Sequence, residues 1–379
     1  MIFSTLGLLA AAIFKLSAAS IVFPDPDTPY QVTWESHELV DPDRLDPYNE
    51  THQRRLMISK FTPVPRAACL KTCQVTYMPE AAASILDDMS EWFVETVLNP
   101  TMGMDAQWPK GRFAQAEMEV CCETKKACRD RNSGEKFPTI LLDPGYNTSR
   151  HSYSVMAQHI GGMGFEVIVM DHPYETGPTV FSDGTILVGG VPDIADPTFA
   201  LDVRAADASF VLDVLGLTDS KSVVYVGGSL GGAAAAVAMG ADDRIAAGVN
   251  LDGPMAGSNL SEGAERPFLI WHATAYDAVG EPTRREFIES TRSRGTWVEG
   301  LVLEGSSHYT FSDWSALADI GDMRGDAEFE AIYFGTIKGM RAMEILREYL
   351  ADFANFGLGK EEEGLLEGPS EKFPEISFL

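Results

Sequence analysis

From Phe137 to Asn355, short continuous apolar runs alternate with longer stretches whose apolar positions recur at helical spacing. FPTILLD (137–143), FEVIVMD (165–171), SVVYVGG (222–228), IAAGVNLD (245–252), FLIWHATA (268–275) and WVEGLVLEG (297–305) read as strands. Between them Ser149 to Gly162, Pro197 to Leu215, the Ala-rich stretch after Ser229, Pro282 to Ser293 and a long final segment, Ala327 to Asn355, read as helices. Strands that are apolar throughout, each followed by a helix, predict an α/β fold with a mostly parallel sheet covered on both faces.

Outside that alternation the pattern is less regular. Residues 21–53 are rich in Pro and Asp and predict an extended lead-in, while RRLMISKFTPV (54–64) alternates as a strand. The stretch 65–136 carries one helix, Ala81 to Leu98, and has the character of an insertion. Between Asp171 and Asp196, PTVFSDGTILVGG predicts a hairpin closed by a two-residue turn at Asp183-Gly184. Following a strand of the parallel sheet, this hairpin is expected at the carboxyl edge, where it would line the pocket and, through Val180, Phe181, Ile186 and Leu187, supply the apolar surface beside it. One domain spans 54–355, and residues 356–379 are expected to be an acidic surface tail.

The first twenty residues change the picture. An apolar core from Leu6 to Phe14 followed by Ser17, Ala18, Ala19 and Ser20 predicts a secretory signal, and no later run is apolar enough to span a membrane. Sequons at Asn49, Asn147 and Asn259 agree with secretion. In an oxidising compartment Cys69, Cys73, Cys121, Cys122 and Cys128 predict two disulfides and one spare thiol, with the pairing open. Their spacing, C-x3-C and CC-x5-C without histidine, does not match a zinc site. The net charge of −27 excludes nucleic acid as a partner and disfavours anionic membranes, leaving at most weak contact with zwitterionic lipid.

The chemistry centres on Gly227-Gly228-Ser229-Leu230-Gly231, a Gly-x-Ser-x-Gly turn between an apolar strand and a helix. That is the pattern of a nucleophile elbow, in which small flanking residues permit a tight turn and the serine sits at a helix amino end. A serine needs a base, and the base needs an acid to orient it. Of the histidines only His272 and His308 follow Ser229; His272 lies inside a strand, whereas His308 follows one in the loop GSSHYT. Asp242 and Asp243 precede a strand and fall on the wrong edge, while Asp252 and Asp277 both follow strands. Topology does not choose between these two. For the oxyanion, the amide after the nucleophile, Leu230, and that of Tyr146, in the Pro144-Gly145-Tyr146-Asn147 turn, are the candidate donors. No metal or cofactor is implied.

RRLMIS, VTYMP, PGYNTSRHSYS, DHPYE, GGSLGG, LDGPM and GSSHYTFSDW together resemble the secreted platelet-activating factor acetylhydrolase family, calcium-independent serine esterases of the α/β-hydrolase fold that remove short acyl groups from phospholipids. In that family the acid follows the nucleophile by 23 residues and the histidine sits in a GS-x-H loop before an aromatic and an acidic residue. The resemblance therefore implies Asp252 over Asp277, with His308 followed by Phe311 and Asp313. Gly228 stands where the family often has histidine, and Asp143-Pro144-Gly145-Tyr146 where it has His-Gly-Leu-Gly. The expectation is a secreted serine ester hydrolase acting on short or oxidised acyl esters with Ser229, Asp252 and His308. Its rivals are a general carboxylesterase or polyester-type hydrolase and a non-catalytic secreted binding protein of the same fold.

Overall fold

The computed structural model describes residues 20–125, 136–190, 195–257, 260–274 and 280–379. The expected signal up to Ala19, the spare Cys128, the sequon at Asn259 and the alternative acid Asp277 lie outside these residues.

A short strand β1 (Ile21–Val22) precedes two long ones, β2 (Tyr30–Asp46) and β3 (Asn49–Pro65), which pair antiparallel. The expected lead-in thus holds an edge strand of the main sheet. Strand β4 (Cys69–Thr76), helix α1 (Glu80–Phe93), which runs on through a further turn to Leu98, and strand β5 (Ala116–Thr124) follow. β1, β5 and β4 form a separate three-stranded sheet, cross-linked by Cys69–Cys121 and Cys73–Cys122.

The regular alternation then runs β6 (Thr139–Asp143), α2 (Ser154–Gly162), β7 (Glu166–Asp171), the hairpin β8 (Thr179–Val180) and β9 (Ile186–Leu187), α3 (Thr198–Val214), β10 (Val223–Gly228), α4 (Leu230–Ala241), β11 (Ile245–Leu251), β12 (Phe268–Ala273), α5 (Gly280–Ser293) and β13 (Val298–Leu303). It closes with α6 (Trp314–Ile320), α7 (Ala327–Tyr333), α8 (Gly339–Gly357) and β14 (Ile376–Phe378). The nine-stranded sheet has the order β14-β13-β12-β11-β10-β6-β7-β3-β2. Its six central strands are parallel, with antiparallel pairs at both ends.

The apolar runs have a direct cause: successive residues face opposite layers. Ile140 and Leu142 belong to the apolar layer that holds Val155, Met156, Ile345 and Leu346 of α2 and α8, while Leu141 belongs to the opposite layer, with Leu201, Ala233 and Phe287 of α3, α4 and α5.

Three expectations need correction. The long helix over 327–355 is two helices, because Gly335 turns at φ 80° and a side chain there would meet the Gly305 carbonyl at 2.6 Å. The acidic tail ends as β14, paired with β13. The hairpin turn has three residues, Ser182 to Gly184: Phe181 N bonds Thr185 O, and Asp183 Oδ1 accepts from the Thr185 amide.

Candidate active site

The parallel strands deliver their carboxyl ends to one edge, and Ser229 emerges there between β10 and α4 with φ 52° and ψ −123°. For a residue with a Cβ this backbone is strained, and it persists because its surroundings fix it. A Cβ on Gly227 would lie 1.9 Å from the Gly231 carbonyl oxygen, so the turn admits no side chain at that position. At Gly228, where the family often carries histidine, the space is filled by Tyr153, whose hydroxyl would be 2.3 Å from any Cβ. Leu230 opens α4 immediately after the serine.

Asp252 follows β11 at φ 57°, which turns its carboxylate toward the neighbouring strand. Oδ1 accepts from the Ala273 amide at 2.8 Å, and Oδ2 lies 2.8 Å from His308 Nδ1. The carboxylate is buried, whereas the His308 side chain is 43% exposed at the head of a 3₁₀ turn, His308–Phe311. Behind Asp252, Arg284 Nη1 stands 3.8 Å from Oδ1, and Arg284 Nε lies 3.1 Å from His272 Nδ1. Burial, then Arg284, hold the His272 imidazole below its ordinary range. Asp242 and Asp243 bind Arg244 and Arg266 at the opposite edge.

Ser229 and His308 line one small cavity of about 50 Å³ together with Gly145, Tyr146, Tyr153 and Phe311. Tyr146 lies on the turn after β6, and Gly145 sits close enough that its Cβ would be 3.0 Å from that of Ser229. The structure therefore gathers Ser229, Asp252, His308, Tyr146 and Leu230 at one place.

A wider cleft of about 360 Å³ adjoins this cavity, sharing Tyr146, Thr148 and Tyr309. Its far walls are Met89, Trp92 and Phe93 of α1 and the buried Trp314 and Tyr333, against which Tyr309 stacks at 4.9 and 4.4 Å between ring centres. Asp87 keeps α1 in place by accepting from Trp108 Nε1 and the Gly111 amide. The hairpin was expected here. It lines a different cavity, of about 690 Å³, where Val180 and Phe181 face Trp34, Met57 and Met78 and Ser229 takes no part.

Two residues that pack beside the site escaped the reading of the sequence. Tyr153 lay within the run read as a helix, Ser149 to Gly162. Asp313 belonged to the GSSHYTFSDW motif without a part to play; it is buried and accepts from the Val155 and Met156 amides at 2.8 and 2.9 Å, while its own amide donates to Ser152 O. Burial pushes its carboxyl up to about 8 against the pull of those amides.

No protein-family model matches the chain. A probable 1-alkyl-2-acetylglycerophosphocholine esterase of Arthroderma benhamiae is 34% identical over 390 residues, an alignment that covers 98% of this chain and 97% of that protein. The chain belongs to the platelet-activating factor acetylhydrolase family. Like the family it is an ester hydrolase, which sets aside the reading as a non-catalytic binder. A ferulic acid esterase from Streptomyces cinnamoneus superposes with a TM-score of 0.73 at 24% identity, covering 95% of this chain and all of that one, and places the fold among α/β-hydrolases. Family membership also gives the substrates their class, small-molecule or lipid esters. Among the described residues no helix is long and apolar enough to cross a membrane.

Proposed function

We propose that this chain is a secreted hydrolase that removes short or oxidised acyl groups from phospholipid-type esters without calcium. Ser229 Oγ attacks the ester carbonyl as His308 Nε2 takes its proton, Asp252 orients the imidazole through Nδ1, and the amides of Tyr146 and Leu230 receive the oxyanion. His308 then returns the proton to the departing alcohol, and water repeats the sequence on the acyl-serine to release the acid.

The observation that carries this reading is the asymmetry of space around Ser229. The cavity at the serine, about 50 Å³, is small and suits a short acyl group. The cleft beside it, about 360 Å³, is several times larger, mostly apolar, and suits the bulk of an alcohol. Two disulfides support an oxidising destination. The competing reading, a general carboxylesterase or polyester-type hydrolase, draws on the same cleft and differs in placing the long group on the acyl side.

An ester series from acetyl to palmitoyl on a glycerophosphocholine, run with chelator, separates the two. Acetyl esters should turn over fastest at a rate the chelator does not change, and Trp92→Ala should raise KM for the lipid but not for a small soluble acetate. Fastest cleavage of palmitoyl esters, or arrest by the chelator, refutes the acetylhydrolase reading.

A further inference from the structure

Behind the turn that carries Tyr146 lies a cluster of charged side chains with no access to solvent. His172 follows β7 and reaches two carboxylates, Asp207 at 2.8 Å through Nδ1 and Asp143 at 3.2 Å through Nε2. Arg204 of α3 donates from Nη1 to Asp143 Oδ1 and to the Pro144 carbonyl, both at 2.7 Å, and from Nε to Glu175 at 2.7 Å. The Tyr225 hydroxyl donates to Asp143 Oδ2 at 2.8 Å. On the far side Arg54 bridges Asp207 and Asp46. His172, Arg54, Arg204, Asp143, Asp207 and Glu175 are all 0% exposed.

Such a cluster does not explain itself through stability, since well-packed apolar side chains often serve a fold as well as buried ion pairs do. What apolar side chains cannot do is fix the direction of a carboxylate and a carbonyl. Here those groups are the residues that lead into the turn: Asp143 ends β6 and Pro144 begins the segment to Asn147. The other end is held from the same cluster, because the Asn147 amide donates to the Glu175 carbonyl at 3.0 Å.

We propose that Arg204 and His172 are positioning residues for hydrolysis, holding the turn through Asp143 and Pro144 so that the Tyr146 amide points at the oxyanion. This rests on the reading of Tyr146 as an oxyanion donor. The device acts on kcat more than on KM, because an amide aimed at the oxyanion is used fully only in the transition state.

It also has a pH signature. Burial alone would lower the His172 imidazole, but Asp143 and then Asp207 offset this and raise it to about 9. Facing it are Asp143 from β6, Asp207 and Arg204 from α3, Asp171 on its own strand, itself paired with Arg150, and Glu175 in the next turn; Arg54 of β3 and Arg44 of β2 act through Asp207. A raised histidine contributes fully below about pH 6.5 and its contribution is lost as pH rises through about 9. Support for the turn therefore fades on the alkaline side.

The test is steady-state kinetics of an acetyl ester with Arg204→Lys, His172→Gln and Tyr225→Phe, each with its folded sites counted by fluorophosphonate titration. Loss of a single oxyanion donor costs about 10²–10³ in kcat, so a misdirected one should cost about 10- to 100-fold in the first two variants with KM within about twofold. Tyr225→Phe removes one hydrogen bond and should cost about 2- to 10-fold. The alkaline fall of kcat near pH 9 should vanish in His172→Gln. Should the first two fail to fold, Tyr225→Phe decides. Folded variants with unchanged kcat, losses carried by KM, or an unchanged alkaline limb in His172→Gln overturn the positioning role alone. An inert wild type whose serine resists the fluorophosphonate overturns the underlying function and this role with it.

Discussion

Replacing Asp252 by asparagine tests the candidate triad at its most specific contact. The carboxylate has two fixed partners, the Ala273 amide on Oδ1 and His308 Nδ1 on Oδ2, each at 2.8 Å. The Ala273 amide can only donate, so the substituted side chain must keep its oxygen there and present its NH₂ to the histidine. His308 Nδ1 then becomes an acceptor and its proton moves to Nε2, the nitrogen that should receive the serine proton. The opposite rotamer restores the tautomer but sets a donor against the Ala273 amide, leaving both unpaired in a buried place at about 1–3 kcal/mol. A wrong tautomer in an otherwise intact triad costs a serine protease about 10⁴ in kcat, about 5 kcal/mol, and the same loss is expected here. Folding should survive, since Glu281 remains within 3.6 Å of Arg284 when the Asp252 charge is gone. The assay is kcat/KM on an acetyl ester beside a thermal melt, with Asp277→Asn as companion, expected to lose less than about threefold. A loss under tenfold in folded Asp252→Asn, or a larger loss in Asp277→Asn, would remove Asp252 from the triad.

Ser229→Ala should lower ester hydrolysis by about 10³-fold or more and abolish fluorophosphonate labelling, and activity within tenfold of wild type ends the proposed mechanism. The two disulfides should be strongly non-additive. Closing the 52-residue separation of Cys69 and Cys121 is worth about 4 kcal/mol in the chain-entropy model, but the second bridge closes a loop that the first has already made small. Calorimetry of Cys73→Ser/Cys122→Ser should therefore show a minor drop in Tm and the four-cysteine variant a large one; equal steps would contradict this account.

The parallel core was legible because its strands are buried on both faces and so are apolar without interruption. The elbow was legible because its steric demand is local: Gly227 must be small for reasons that lie four residues away. What the sequence hid depends on distant partners. Strand β2 exposes Glu35, Ser36 and His37 as an edge strand does, so no apolar run announced it. The break at Gly335 is set by the approach of Gly305, and α1 reads as an amphipathic helix whatever it packs against. Arg54, Arg204 and His172 would ordinarily be placed at the surface, and only the fold shows four carboxylates waiting for them. The choice of Asp252 came from family resemblance, and its contact with His308 now gives it a geometric basis.

Asp313 lies five residues past His308, yet its carboxylate is bound by the first turn of the helix that follows the Tyr146 segment. The proposed proton shuttle and the proposed oxyanion turn are thus both linked to Asp313. Catalytic groups must hold their mutual geometry to within about 0.5 Å, and two loops tied to separate supports would drift independently. A common tether of this kind would pass displacement of one to the other and so favour a constant distance between them. On the proposed mechanism, what this carboxyl group would protect is a separation, the one between base and oxyanion donor.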